Sequence, residues 1–213
     1  MALTRNVRLD PAKSALLFID VQNFSAHRKG AEFCDISKTS FTKQYGWYFD
    51  QLETRVIPCM QSLQSACRRA RIEIMYTTIE SLTLDGRERS LDYKITGFHV
   101  PKGSWDGRVI DEIAPHDDEI VLSKGSSSVF VSTNIDYILR NLGVKQLVIS
   151  GLITDQCVES AIRDACDLGY LVTQVSDACL TYTSERHENS LSTIGGYCRQ
   201  LTTKELIQEI GAL

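Results

Sequence analysis

Short apolar runs alternate with longer amphipathic stretches along this chain. The first run, residues 14–19, is apolar almost throughout, as expected for a strand that is covered on both faces. Between the runs, apolar residues recur at the spacing of a helix that packs one face on a core. The alternation predicts an α/β fold, a three-layer sandwich around a doubly wound parallel sheet of about six strands. The predicted strands cover residues 14–19, 72–78, 119–122, 145–149, 170–175 and 197–202.

The predicted helices leave two long connections without a clear pattern. Residues 25–49 are polar and aromatic, and residues 81–118 are polar and contain glycine and proline. Long connections in compact domains often form lids or binding loops, so we expect these two to shape a pocket. The predicted helices cover residues 52–67, 109–113, 135–142, 158–168, 187–194 and 203–210.

Composition narrows the class of protein. The chain has 213 residues, which most simply form one domain spanning residues 1–213. Its net charge of −4 and the lack of a basic stripe argue against a nucleic-acid partner. No apolar run approaches the roughly 20 residues of a membrane span, so we expect no membrane partner. Seven cysteines without a secretory signal indicate a reduced, cytoplasmic protein.

Cys157 stands where the fourth predicted strand gives way to a helix. The sequence SGLITDQC, residues 150–157, separates the apolar run from the amphipathic one. A helix N-terminus favours negative charge and is expected to acidify a thiol towards thiolate. Gly151 and Thr154 suit a tight turn whose N–H groups could face a developing oxyanion. Cys157 is therefore a candidate nucleophile, and a small buried core thiol is the alternative interpretation.

Charged residues follow two other predicted strands. Asp20 directly follows the first strand, and Lys124 follows the third by two residues. The carboxyl ends of parallel strands open on one edge of a sheet, where ligands bind in open α/β folds. There, Asp20 would take the proton of the Cys157 thiol, and Lys124 would hold Asp20 ionised. The N–H groups of Ile153 and Cys157 would stabilise a tetrahedral oxyanion. Read alone, Asp20 is better explained as a residue that caps the following turn through its side-chain oxygens.

Three more residues near these strand ends are predicted to bind substrate. Asn23 and Phe24 follow Asp20 in the same loop, and Glu80 follows the second predicted strand. The Glu80 carboxylate is suited to accept hydrogen bonds from substrate N–H groups. A solvated loop charge is the alternative interpretation of Glu80.

Three stretches carry a family resemblance, and they occur in this order: LLFIDVQNF, IVLSKGSSSVF and VISGLITDQCVESAIRDACDLGY. Through them the chain resembles the isochorismatase-like cysteine hydrolases over nearly its whole length. The resemblance implies a catalytic triad of Asp20, Lys124 and Cys157. It also implies a cis peptide bond ahead of Ile153, which turns that residue's N–H towards the oxyanion. A looser likeness of residues 81–104 points to ureidoacrylate- and carbamoyl-amide-type members.

The family resemblance leaves three functions open. The first is a metal-independent amidohydrolase that cleaves a C–N bond of a small amide, ureido or carbamoyl compound through an acyl-enzyme, without a cofactor. The second is an isochorismatase, which cleaves a vinyl ether, and that chemistry does not require a thiol. The third is a non-catalytic ligand-binding module on the same fold. The intact triad favours the first.

We expect activity without a metal ion. Nicotinamidases of this family typically carry Asp-x-His and a further His as metal ligands, whereas the sequence after the second strand here is ESLTLDGRERS. Activity should therefore survive prolonged treatment with a chelator, and elemental analysis should find no stoichiometric zinc or iron. A chelator-sensitive activity that one added metal restores would contradict this prediction.

We also expect a homo-oligomer, either a dimer or a tetramer. The two long connections, residues 25–49 and 81–118, are longer than one small pocket needs. Members of the family that this chain resembles also commonly form oligomers. Light scattering on the active protein should give at least twice the monomer mass of 23.9 kDa. A dilute and fully active monomer would contradict it.

Overall fold

A six-stranded, all-parallel sheet forms the centre of the protein, which confirms the predicted α/β class. The computed structural model describes residues 3–116 and 118–212. The strands lie in the order β3-β2-β1-β4-β5-β6, so the strand order reverses between β1 and β4. They are β1 (Ser14–Ile19), β2 (Glu73–Ile79), β3 (Ile120–Lys124), β4 (Gln146–Leu152), β5 (Leu171–Leu180) and β6 (Arg199–Leu201).

Helices cover both faces of this sheet. The two longest, α2 and α3, are joined by a π-helical turn at Leu52–Val56. The helices are α1 (Asn23–Ala26), α2 (Lys38–Gln51), α3 (Ile57–Arg69), α4 (Leu91–Thr96), α5 (Val129–Ser132), α6 (Ile135–Asn141), α7 (Glu159–Asp167), α8 (Ser184–Ile194) and α9 (Thr203–Gly211). None of the helices among the described residues is long and apolar enough to cross a membrane.

Alternate residues of β1 point into two separate apolar cores, as the period of a strand requires. Leu16 and Phe18 lie in the core that α2, α3 and α9 cover. Ala15, Leu17 and Ile19 lie in the core on the other face, which α6 and α7 cover. The first strand is therefore buried on both sides, which explains its continuous apolar sequence.

The structure corrects the interpretation of residues 25–49 as one long connection. Helix α2 occupies its second half, with the Ser37 side chain accepting a hydrogen bond from the Ser40 N–H as an N-cap. Phe41, Tyr45 and Phe49 follow one another at intervals of four residues and pack against Phe33. This aromatic spacing is a helical signal that the surrounding polar residues hide.

The second long connection also contains more structure than the sequence pattern predicts. Helix α4 begins after Ser90, whose side chain accepts a hydrogen bond from the Tyr93 N–H, and it ends at Gly97 in the left-handed conformation. The helix predicted at 109–113 is shorter, a single 3₁₀ turn at Asp111–Ile113. A further 3₁₀ turn, Trp105–Gly107, packs on α1 and joins the connection to the sheet edge.

Candidate active site

The site lies in the crevice between β1 and β4, where the strand order reverses and ligands bind in open α/β sheets. Gly151 of β4 pairs with Ile19 of β1 and has a φ of 141°. A Cβ atom on Gly151 would lie 2.2 Å from the Ile19 carbonyl oxygen. Only glycine therefore lets the two strands come this close, and the segments that follow them lie side by side.

Asp20 follows β1 directly and is held in one orientation by β2. Its φ of 51° is left-handed, a conformation that aspartate adopts more readily than most residues. Its N–H donates to the Thr77 carbonyl at 3.0 Å. Its Oδ1 atom accepts a hydrogen bond from the Thr77 hydroxyl at 2.8 Å. Its Oδ2 atom lies 2.8 Å from Lys124 Nζ, and the described residues give that oxygen no well-aligned hydrogen bond. Besides its ion pair with Lys124, this oxygen keeps a lone pair that can accept a proton.

Lys124, the last residue of β3, carries its ammonium into the centre of the site. The side chain is fully buried, and Nζ lies 2.8 Å from both Asp20 Oδ2 and the Ser126 carbonyl oxygen. Nζ also lies 3.3 Å from the Tyr93 hydroxyl and 3.3 Å from Cys157 Sγ. Burial alone would lower the pKa of Lys124, but the Asp20 carboxylate and then Cys157 raise the pKa above its ordinary value. The ammonium therefore stays charged at neutral pH.

Cys157 is buried beside this ammonium, in a π-helical turn at Thr154–Val158 that precedes α7. Burial raises the pKa of the thiol to about 12, Lys124 opposes the rise, and the Asp20 charge adds to it. The expectation that the start of a helix acidifies this thiol is therefore wrong for the free protein. Desolvation of the sulfur outweighs the effect of the ammonium, so the thiol needs a base in order to react.

The turn between β4 and Cys157 carries the candidate oxyanion donors. The peptide bond between Leu152 and Ile153 is cis, and the described residues provide no acceptor for the Ile153 N–H. The turn is held from α8, because the Thr154 hydroxyl lies 2.9 Å from His187 Nδ1. Asp155 is fixed through a 2.6 Å ion pair with Arg186. The backbone at this turn is thus firmly supported.

A small pocket leads to the thiol. Its volume is about 290 Å³, including space that is open to solvent. These dimensions suit a small substrate. Its apolar walls are Phe24, Ile79, Phe98, Leu152, Ile153 and Tyr182, and its polar lining is Asp20, Ser25, Glu32, Gln156 and Cys157.

Of the three predicted substrate-binding residues, Phe24 lines this pocket and the other two do not. The Asn23 amide instead donates a hydrogen bond to the Trp105 carbonyl at 3.0 Å. The Glu80 carboxylate accepts hydrogen bonds from the Gly103 N–H and the Ser123 hydroxyl, both at 2.7 Å. Both residues therefore hold the second long connection against the sheet.

Three residues that sequence analysis did not identify complete the site. The Thr77 hydroxyl donates a hydrogen bond to Asp20 Oδ1, and the Tyr93 hydroxyl lies 3.7 Å from Cys157 Sγ. Glu32 lines the pocket from the first long connection. Thr77 lies on β2, Tyr93 in α4 and Glu32 in a 3₁₀ turn, all distant in sequence from one another, so no local pattern marks them. Tyr93 could have been suspected only as a polar aromatic residue just inside a capped helix.

No metal site is evident in the part of the chain that the structure describes. Among the described residues, no three side chains of His, Cys, Asp or Glu lie close enough together to hold a metal ion. That the activity needs no metal ion stays a prediction, and the chelator experiment tests it.

Comparison with known proteins identifies the family. Residues 14–205 match the model of the isochorismatase domain. A cysteine hydrolase from Pseudomonas syringae pv. phaseolicola 1448A has the same fold, with a TM-score of 0.79 over 97% of this chain and 96% of its own, at 22% identity.

Two further solved structures are somewhat more similar in sequence. An isochorismatase-like hydrolase from Alkaliphilus metalliredigens is 27% identical over 92% of this chain and 98% of its own, with a TM-score of 0.72. N-carbamoylsarcosine amidase from Thermoplasma acidophilum is 26% identical over 90% of this chain and 96% of its own, with a TM-score of 0.66.

The raised pKa of Cys157 leads to a prediction about its reactivity without substrate. Iodoacetamide should modify the exposed Cys34 well before Cys157 at pH 7.5, and Cys157 should react faster as the pH rises. Asp20→Asn should accelerate alkylation of Cys157 by about tenfold or more, because the negative charge that opposes the thiolate is removed while Lys124 remains. Peptide mapping by mass spectrometry measures both rates. Rapid alkylation of Cys157 in the unmodified protein at neutral pH would contradict the protonated thiol.

Proposed function

This chain belongs to the isochorismatase family, and on that basis we propose that it is a cysteine amidohydrolase. It would hydrolyse a C–N bond of a small amide, ureido or carbamoyl compound through a covalent acyl-enzyme. The observation that carries the proposal is the buried ammonium of Lys124, which lies 2.8 Å from the Asp20 carboxylate and 3.3 Å from the Cys157 sulfur. The Lys124 ammonium thus contacts both the proposed proton acceptor, Asp20, and the proposed nucleophile, Cys157.

The reaction begins with the proton of the thiol. Asp20 Oδ2 takes it as the Cys157 sulfur attacks the substrate carbonyl carbon, and a C–S bond forms. The Lys124 ammonium stabilises the sulfur's developing negative charge and loses no proton itself. The tetrahedral intermediate then collapses, the C–N bond breaks, and the leaving nitrogen receives the proton from Asp20. Water hydrolyses the thioester, with Asp20 as the base, and the thiol is regenerated.

The oxyanion of each tetrahedral intermediate needs hydrogen-bond donors that are already in position. The N–H of Ile153 and the N–H of Cys157 are proposed for this role. The Ile153 N–H is supported by its lack of an acceptor among the described residues and by the turn between β4 and α7, which a contact from α8 holds in place. Removal of one such donor typically costs about 3 kcal/mol of transition-state stabilisation.

Two observations favour C–N hydrolysis over cleavage of a vinyl ether. A buried thiol in contact with an acid–base pair is suited to covalent catalysis, which ether cleavage does not need. Isochorismate carries two carboxylates, whereas the described residues lining the pocket include no arginine, histidine or lysine to bind them. The similar protein from Thermoplasma acidophilum is an amidase by name, which agrees with this choice.

Loss of the nucleophile should abolish turnover. With the best substrate from a panel of amides and ureido compounds, Cys157→Ala and Cys157→Ser should lower kcat by about 10³-fold or more, because the covalent route is gone. Asp20→Asn should be nearly as damaging, since an amide oxygen is a poor proton acceptor. The losses should not add in double variants, because the residues act as one unit. Ammonia release gives the rates.

Thr77→Val is a matched control of similar shape. It removes the hydrogen bonds of the Thr77 hydroxyl with Asp20 Oδ1 and with the Asp20 N–H but keeps the carboxylate, so it should lower kcat much less than Asp20→Asn does. Mass spectrometry of the parent enzyme during turnover should show an acyl adduct on Cys157. Near-normal turnover in Cys157→Ala, with no adduct on the parent, would contradict the covalent mechanism and favour vinyl-ether chemistry.

A further inference from the structure

Glu32 contributes an acidic group to the pocket that the proposed reaction does not use. It lies in a 3₁₀ turn, Ala31–Phe33, in the first long connection. Its Oε1 atom accepts a hydrogen bond from the Tyr182 hydroxyl. Its Oε2 atom is buried and has no hydrogen-bond partner among the described residues. A buried oxygen without a partner is costly unless something else binds it.

The backbone around Glu32 is fixed rather than adaptable. Gly30 packs so closely on α1 that a Cβ atom there would lie 2.1 Å from the Phe24 carbonyl oxygen. The Ala31 N–H donates to the Asp106 carboxylate at 2.9 Å, and Phe33 is buried in the aromatic cluster of α2. The backbone on both sides of Glu32 is therefore held in place, and this fixes the position of Glu32 beside the pocket.

The surroundings of Glu32 are aromatic and carry little compensating charge. Burial raises the pKa of Glu32 to about 7, and the hydrogen bond from Tyr182 opposes the rise. Burial also raises the pKa of Tyr45, Tyr48 and Tyr182, so none of these phenols titrates near neutral pH. Arg186, which stacks over the Tyr182 ring at 5.5 Å, is already paired with Asp155.

An acidic group with aromatic walls is the usual setting for binding a positively charged nitrogen. Phe24, Phe98 and Tyr182 line the same pocket as Glu32 and Cys157. The same setting is unfavourable to a substrate carboxylate, because the negative charge of Glu32 would repel it. We propose that Glu32 selects amide substrates that carry a protonated amine away from the scissile carbonyl. This inference rests on the proposed amidohydrolase function.

Three amides of similar length test the selection. β-Alaninamide ends in an ammonium, butyramide in a methyl group and succinamate in a carboxylate. At pH 8 the parent enzyme should give the highest kcat/KM with β-alaninamide and the lowest with succinamate. Glu32→Gln should lower kcat/KM for β-alaninamide by about ten- to hundredfold, mostly through KM, because a charged hydrogen bond is lost. Butyramide should change by less than about threefold.

The pH dependence separates charge recognition from a structural role. An aliphatic ammonium stays protonated between pH 6 and 8, so a change in KM over this range reports on the enzyme. KM for β-alaninamide should fall as the pH rises through about 7, where Glu32 ionises. Tyr182→Phe should move this transition to higher pH, because the hydrogen bond that lowers the pKa is gone. Glu112 is an exposed carboxylate outside the pocket, so Glu112→Gln is the matched control. It should change neither KM for β-alaninamide nor the pH at which KM changes.

Stability gives a readout that does not depend on turnover. A carboxyl whose folded pKa is raised contributes stability that is complete below its unfolded pKa, about 4.5, and is lost as the pH rises through about 7. Glu32→Gln should therefore gain in Tm relative to the parent as the pH is raised from 5 to 8. The same measurement shows that the variant folds.

Binding to Cys157→Ser distinguishes failure of this inference from failure of the proposed function. Calorimetric titration with β-alaninamide should detect binding at pH 8 that weakens at least tenfold when Glu32→Gln is added. If the parent hydrolyses none of the three amides while this binding holds, the proposed function is contradicted and the cation site stands. If β-alaninamide does not bind, or binds equally well without Glu32, the inference is wrong. Preference for succinamate would also overturn it.

Discussion

The buried ion pair between Lys124 and Asp20 is the interaction on which the rest of the site depends. Removing two charges from water costs several kcal/mol for each ion, so this pair persists only with good geometry and further partners. The site provides both, since Lys124 also reaches the Ser126 carbonyl and Asp20 accepts a hydrogen bond from Thr77. Loss of either charge would leave the other uncompensated, at a cost of about 3–5 kcal/mol.

The same burial keeps the proposed nucleophile, Cys157, in its thiol form. The ammonium next to Cys157 favours the thiolate, but it is already paired with Asp20, so the three groups rest as an ammonium, a carboxylate and a neutral thiol. In the proposed reaction, the sulfur loses its proton only as it attacks a substrate carbonyl, because the negative charge then moves on to the carbonyl oxygen. It also protects the sulfur from oxidation and alkylation between turnovers, since reactivity follows thiolate character and exposure.

The fold supports this chemistry by bringing distant segments to one crevice. Gly151 permits the close approach of β4 to β1, and the reversal of strand order there leaves space between the segments that follow. Lys124 comes from β3, two strands away from β1, and its long side chain covers that distance. The two long connections supply Tyr93 beside Cys157 and Glu32 in the pocket lining, so part of the candidate site is carried by connecting segments, the most variable kind of structure.

The sequence by itself determined the α/β class, the strand positions within a few residues, and Asp20, Lys124 and Cys157 as residues at strand ends. Those features depend on local periodicity and on the rule that parallel strands open on one edge. Only the tertiary structure decided which side chains meet there. Glu80 and Glu32 are both acidic residues in connecting segments, yet both carboxylate oxygens of Glu80 accept hydrogen bonds from Gly103 and Ser123. Glu32 instead lines the pocket, and its Oε2 atom has no hydrogen-bond partner among the described residues. The pKa of Cys157 was equally beyond the sequence, because desolvation depends on every group packed around the sulfur, and contacts between segments far apart in the chain leave no local pattern.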